Sequence, residues 1–186
     1  MKFIKTALPG VFIIEPSVLG DDRGYFLESF NLEKFEENVF PIKFVQDNES
    51  KSSRGVLRGL HFQIPPYAQA KLVRCIKGRV IDVAVDIRKG SPTYGKHLSV
   101  ELSGENKRQL FVPRGFAHGF SVLSENTVFA YKVDNKYMPK SESGIRYDDK
   151  ELNINWGLKE EDIQLSYKDK ELGAFNNLDS PFKFNI

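Results

Sequence analysis

Three segments of the chain alternate apolar and polar residues with a period of two. Ile81, Val83, Val85 and Ile87 interleave with Asp82, Ala84, Asp86 and Arg88. Leu98, Val100 and Leu102 interleave with Ser99 and Glu101, while Thr127, Phe129, Tyr131 and Val133 share one phase of a third run. Successive side chains of an extended strand point to opposite faces, so this pattern predicts strands with one buried face. Turn signals separate the runs: Lys89-Gly90-Ser91-Pro92, Ser103-Gly104-Glu105-Asn106 and Ser124-Glu125-Asn126. Many short strands with turns at such spacing predict an all-β, mostly antiparallel sandwich or barrel. Helix signals are few. Asn31 is placed to cap a short helix through Leu32 and Phe35, and Leu158 to Ile163 predicts an acidic turn or two. From Asp169 onward the periodicity is weak, and that stretch is expected to wrap the surface.

No internal repeat, low-complexity tract or linker interrupts this pattern, so residues 1–186 read as a single domain. A formal net charge of +2 gives no argument for nucleic acid or a membrane surface as partner. Cys75 is the one cysteine, which excludes an internal disulfide and a multi-cysteine zinc site, and its apolar run predicts a buried, inert thiol. Met1 to Gly10 lacks the long apolar stretch of a secretory signal, so the expected location is the cytoplasm.

Four segments carry chemistry. Arg54-Gly55-Val56-Leu57-Arg58-Gly59-Leu60-His61-Phe62-Gln63 puts a cation, a glycine and a histidine within four residues. In a regular strand Arg58 and His61 point to opposite faces, but a bulge at Gly59 would turn both toward one cavity. A surface arginine beside a structural histidine fits the same composition. Val112-Pro113-Arg114-Gly115-Phe116-Ala117-His118-Gly119-Phe120 is a tight turn delivering a histidine into a strand. Gln69-Ala70-Lys71-Leu72-Val73-Arg74 opens an apolar strand with a lysine, either a solvated strand end or an oxyanion partner. Ser166-Tyr167-Lys168-Asp169 offers a carboxylate, either an exposed loop residue or one that returns to orient His61. His97 lies apart from these segments and reads as structural or exposed.

The turn Pro113-x-Gly115-x-x-His118 is similar to the second signature of the cupin superfamily, which implies a cupin-type antiparallel β-jelly roll with short peripheral helices. Metal-binding cupins pair two histidines as His-x-His, whereas this chain has His61-Phe62-Gln63. Two histidines are a poor ligand set, so no metal is expected. Almost from end to end, the chain resembles the dTDP-4-dehydrorhamnose 3,5-epimerase family. The strings that carry the resemblance are Phe44 to Asn48, Val56 to Gln63, Gln69 to Cys75, Asp82 to Arg88, Asn106 to Leu110 and Pro113 to Phe120.

The resemblance implies a role for each matched position. His61 matches the general base and Asp169 its carboxylate partner. Tyr131 matches the acid on the opposite sugar face, and Lys71 the group that steadies the enolate oxygen. Arg23, Gln46, Asn48 and Arg58 match nucleotide and diphosphate contacts. Phe26 and Glu28 match the lining of the nucleotide end, with the glutamate supplied across a homodimer. His118 and Tyr137 match further lining positions. Leu19 and the Ile64-Pro65-Pro66-Tyr67 loop depart from family patterns, Leu19 where an aromatic can stand.

The implied substrate is dTDP-4-dehydro-6-deoxy-D-glucose, whose 4-ketone acidifies the hydrogens at C3 and C5. An imidazole, with an ordinary pKa of ~6.5, suits the base, and a neutral phenol of pKa ~10 suits the donor. No redox step arises, no cofactor is implied, and the chain has no Gly-rich dinucleotide motif. The alternatives are a mono-epimerase or 3,4-ketoisomerase on a related nucleotide sugar, a non-catalytic sugar-binding cupin and, less favoured, a metal-dependent oxygenase.

Overall fold

The computed structural model describes residues 1–184. Thirteen strands follow one another as β1 (Lys2–Lys5), β2 (Phe12–Glu15), β3 (Val18–Asp21), β4 (Gly24–Leu27), β5 (Gln46–Ser52), β6 (Leu57–Gln63) and β7 (Lys71–Lys77), then β8 (Arg79–Asp86), β9 (His97–Ser103), β10 (Gln109–Val112), β11 (Phe116–Val122), β12 (Thr127–Val133) and β13 (Glu142–Gly144). Helix α1 (Leu32–Asn38) falls between β4 and β5, and a single helical turn, α2 (Tyr167–Lys170), follows β13. Strands β1-β2-β10-β7-β12-β5 form one sheet and β13-β6-β11-β8-β9 a second, with antiparallel pairing throughout both. The two sheets face each other as the expected all-β jelly roll. β3 and β4 pair only with each other.

Between the sheets lies an apolar core that includes Val73 and Cys75 from β7, Phe129 from β12, Val80 and Ala84 from β8, and Phe116 and Phe120 from β11. Phe120 and Phe129 stack across the gap with ring centroids 4.1 Å apart. Cys75 is buried, as expected, and burial pushes its thiol up to about 11. A second core covers the outside of the smaller sheet, where Leu57, Leu60, Phe62, Val83, Val85 and Ile87 meet Ile145, Trp156 and Phe175 from the C-terminal segment. The alternation in β8 thus separates two interiors. Its polar phase, Asp82, Ala84 and Asp86, is fully buried too, which corrects the expectation of one solvent-facing side. Buried carboxylates need partners. Asp86 accepts from Arg88 (2.8 and 2.6 Å), Ser91 (2.6 Å) and Thr93 (2.6 Å), while Asp82 lies against a histidine.

Asn31 caps α1 as expected, accepting from the Lys34 amide at 3.1 Å. Glu160–Asp162 forms one 3-10 turn. The C-terminal stretch does wrap the surface, but it also buries Asp169 and Phe175 and so adds to the core. His97, in β9, is partly exposed. No helix among the described residues is long and apolar enough to cross a membrane.

Candidate active site

The first requirement is to bring Arg58 and His61 to one face of β6. Against β11, His61 pairs with His118 and Arg58 pairs with Phe120, so three steps along β6 match two along β11. This one-residue excess is a β-bulge. Leu57, Leu60 and Phe62 consequently all join the outer core, and Arg58, His61 and Gln63 take the inner phase. Gly59 makes the bulge possible. Its φ is +125°, and a Cβ there would lie 2.5 Å from Gly119 Cα and 2.9 Å from the His118 carbonyl oxygen. Only glycine fits such an approach.

The same bulge aims the Gly59 amide at Asp169, donating to Oδ1 at 3.1 Å. His61 Nε2 lies 2.8 Å from that oxygen. The other carboxylate oxygen accepts from the Ser166 hydroxyl at 2.5 Å and from the Ser166 amide at 3.3 Å. Ser166 is the cap of α2, so Asp169 closes a capping box and faces His61 at once. Burial alone would raise its carboxyl, but the bonds from His61, Ser166 and Gly59 win and hold it at about 2. Asp169 is therefore ionised at neutral pH.

A second histidine–aspartate pair lies beside the first. His118 Nε2 is 3.0 Å from each oxygen of Asp82, and both residues are buried. Burial lowers the pKa of His118, with Asp82 opposing. Lys71, on the inner phase of β7 in the facing sheet, is pulled down to about 8 by burial, offset in part by Asp82 and Glu142. Tyr131 shares the inner phase of β12 with Phe129 and Val133. Burial pushes its phenol up, and nearby Arg58 works the other way.

At the mouth, Gln46 and Asn48 occupy the inner phase of β5, with Asn48 opposite Tyr131 and a Gln46–Asn48 hydrogen bond of 2.8 Å. Arg58 is exposed and reaches Ser52 at 3.5 Å. The Tyr137 hydroxyl donates to Glu142 Oε2 at 2.9 Å, and Lys168 donates to the same oxygen at 3.0 Å. The inner faces of the two sheets thus carry His61, His118, Arg58, Lys71, Tyr131, Gln46 and Asn48, with Asp169 bonded to His61 and Tyr137 bonded to Glu142 of β13, the strand beside β6. The structure adds Asp82, Glu142, Ser166 and Lys168, which sequence reasoning missed. An acid inside an apolar run was the available signal for Asp82 and the Ser166-x-x-Asp169 capping spacing the one for Ser166; Glu142 and Lys168 carry none.

Arg23, Phe26 and Glu28 are not brought there. Arg23 is nearly free in solvent and pairs with Asp21 of its own hairpin. Phe26 is 69% exposed and neighbours Leu19, which is 67% exposed. Glu28 accepts from Lys34 at 2.8 Å. Tyr25 of this hairpin meets Lys107, whose ammonium lies 4.0 Å from the ring centroid. The larger sheet also carries a groove of about 290 Å³, lined in part by Asp47, Glu49, Arg74 and Lys132 and touched by Asn48 and Tyr131. Among the described residues no three His, Cys, Asp or Glu side chains cluster as a metal site.

Comparison with known proteins gives this geometry a family. Residues 5–177 match the family model described as dTDP-4-dehydrorhamnose 3,5-epimerase. A dTDP-4-dehydrorhamnose 3,5-epimerase of Shigella flexneri is 59% identical over 160 residues, 86% of this chain and 88% of that protein. The crystal structure of the enzyme of that name from Elizabethkingia anophelis NUHP1 superposes with a TM-score of 0.91 at 56% identity, covering 95% of this chain and 97% of the other. A 3,5-epimerase from Legionella pneumophila Philadelphia 1, crystallised with dTDP-4-keto-L-rhamnose, superposes with a TM-score of 0.95 at 48% identity, covering 100% and 99%. With the match spanning nearly every residue, the chain belongs to the dTDP-4-dehydrorhamnose 3,5-epimerase family of isomerases.

Proposed function

We propose that residues 1–186 act as one domain that epimerises dTDP-4-dehydro-6-deoxy-D-glucose at C3 and C5, without a cofactor, to dTDP-4-dehydro-L-rhamnose. The observation that carries the reading is that His61 and Tyr131 sit on the inner faces of opposite sheets, with Lys71 on the strand beside Tyr131, two residues along from its pairing partner Val73. A sugar held there has a base on one side and a donor on the other.

The sequence of events follows from the residues. With its proton on Nε2 toward Asp169, a neutral His61 keeps a lone pair on Nδ1. It takes the hydrogen α to the ketone, and the electron pair of the broken C–H bond moves onto the C4 oxygen. Asp169 stabilises the imidazolium so formed. Lys71 faces the oxyanion, where a fixed cation lowers the cost of developing charge. Tyr131, a neutral phenol whose pKa burial raises further, delivers a proton to the opposite face and recovers its own from solvent. His61 then loses its proton to solvent, and the same steps serve the second carbon. Arg58, Gln46, Asn48, His118 and Tyr137 are positioned to hold the diphosphate, nucleoside and sugar, and a guanidinium fork suits phosphate oxygens. The exposed β3–β4 arm, with Arg23, Phe26 and Glu28, completes the nucleotide end of a partner's site in a homodimer.

Incubation with the 4-keto nucleotide sugar in D₂O, followed by NMR, tests the reading. The wild type is expected to place deuterium at both C3 and C5 with inversion. Tyr131→Phe should still exchange hydrogen through His61 yet form little inverted product, and His61→Ala should do neither. Unimpaired inversion by Tyr131→Phe would remove Tyr131 from the mechanism, and deuterium at one carbon alone would indicate a mono-epimerase.

A further inference from the structure

Gln63 occupies the inner phase of β6, two residues beyond His61, and is 5% exposed. A buried primary amide needs partners for two N–H donors and its oxygen. Gln63 finds all three on backbone. Its Nε2 donates to the Tyr67 carbonyl at 2.6 Å and to the Lys136 carbonyl at 3.2 Å, and its Oε1 accepts from the Met138 amide at 2.7 Å. None of these bonds is directed at the catalytic pair. They join two separate segments of the cavity rim, one at Ile64–Tyr67 and one at Lys136–Met138.

Other bonds cross the same seam. Asn135 Nδ2 donates to the carbonyls of Pro66 (3.0 Å) and Ala68 (3.3 Å), and Gln69 Nε2 donates to the Asn135 carbonyl at 2.7 Å. Gln63 differs from these in two respects. It is rooted in the sheet that carries His61, and its bonds bracket Tyr137 from both sides, at Lys136 and Met138. Tyr137 is 46% exposed, so its own side chain contributes little packing to fix the loop.

We propose that Gln63 is a positioning residue, a latch that sets the height of the Tyr137 loop over the cavity and so governs substrate binding and not proton transfer. The inference rests on Tyr137 being a substrate contact. The base is held by other bonds than the latch: Asp169 contacts His61 directly and is itself held by Gly59 and Ser166, and none of these four hydrogen-bonds to Gln63, Tyr67, Lys136 or Met138. Loss of Gln63 should therefore separate KM from kcat.

The test uses the full chain with Gln63→Leu and Gln63→Met, the second keeping the side chain's length should the first fold poorly. In either variant KM for the nucleotide sugar is expected to rise about tenfold, the scale of losing one or two well-made hydrogen bonds, with kcat within about twofold. Amide hydrogen exchange, read on the peptide containing Met138, should show lost protection there while β8 and β11 keep theirs. Tyr137→Ala serves as the control for the underlying reading, and its KM should rise as well. If Tyr137→Ala raises KM while the Gln63 variants do not, the latch is overturned and the substrate contact stands. If Tyr137→Ala leaves KM unchanged, the contact itself fails, and the positioning role with it. Retained protection at Met138 in a folded Gln63 variant would also overturn the proposal.

Discussion

At the scale of single residues the site is built from charges whose environments push them apart. Asp169 is held at about 2 by donors, whereas Lys71 is brought to about 8 by burial. A lysine is cationic below its pKa, so Lys71 is mostly charged at pH 7 and loses that charge as pH rises through about 8. The alkaline limb of kcat/KM in the free enzyme is therefore expected near pH 8, since Tyr131 is shifted upward and titrates later. Lys71→Met should lower kcat/KM by roughly 10²-fold or more at neutral pH and abolish that limb. A pH–rate profile with an unchanged limb in Lys71→Met would assign it to another group. The sequence made part of this legible: His61 and Lys71 stood in strings that carry the family resemblance, whereas Tyr131 and Asp169 lay outside those strings and were matched by position along the chain. It did not expose Glu142 or Ser166. Glu142 owes its neighbourhood to β13 pairing with β6, a contact that no local pattern records, whereas Ser166 stands in a local Ser-x-x-Asp capping pattern that went unread.

At the scale of elements the bulge in β6 decides whether there is a site. Gly59 gives the strand its extra residue, turns His61 inward and donates to Asp169. Gly59→Ala puts a methyl group into Gly119 and a non-glycine residue at φ +125°. Urea unfolding is expected to show a loss of at least about 1–3 kcal/mol, and the soluble fraction should be nearly inactive. Wild-type stability and turnover in this variant would mean that the bulge tolerates a side chain. The odd spacing of Arg58 and His61 around a glycine raised the bulge as one of two readings, beside a surface arginine next to a structural histidine, and the strand register decides for the bulge. The double burial of β8 was not, because an acidic residue in an alternating run reads as solvent-facing. What reverses that reading is a partner distant in sequence, His118 for Asp82.

At the scale of the whole molecule the larger sheet serves two purposes on its two faces. Lys71 and Val73 look inward, while Arg74, Asp47 and Glu49, of the opposite phase, line a groove. The proposed dimer uses the β3–β4 arm. Co-expressing His61→Ala with Arg23→Ala tests it by complementation. If the arm works across the dimer, one site of each mixed dimer is whole, and random pairing should restore about one quarter of wild-type activity. No recovery above either variant alone would return Arg23 to its own protomer or remove it from the site. From sequence the hairpin's residues could be matched to the family, but its reach could not be read, since exposed Phe26 and Leu19 look like any turn. A different consequence follows from the placement of Asp169. The carboxylate that meets the Gly59 amide lies 110 residues further along the chain, after the last strand of either sheet. During synthesis every strand emerges from the ribosome before the carboxylate does. A growing chain can thus assemble its β framework while His61 still lacks its counter-ion. Competence arrives late, with the docking of one short helical turn, so turnover reports on the completeness of the chain as well as on its fold.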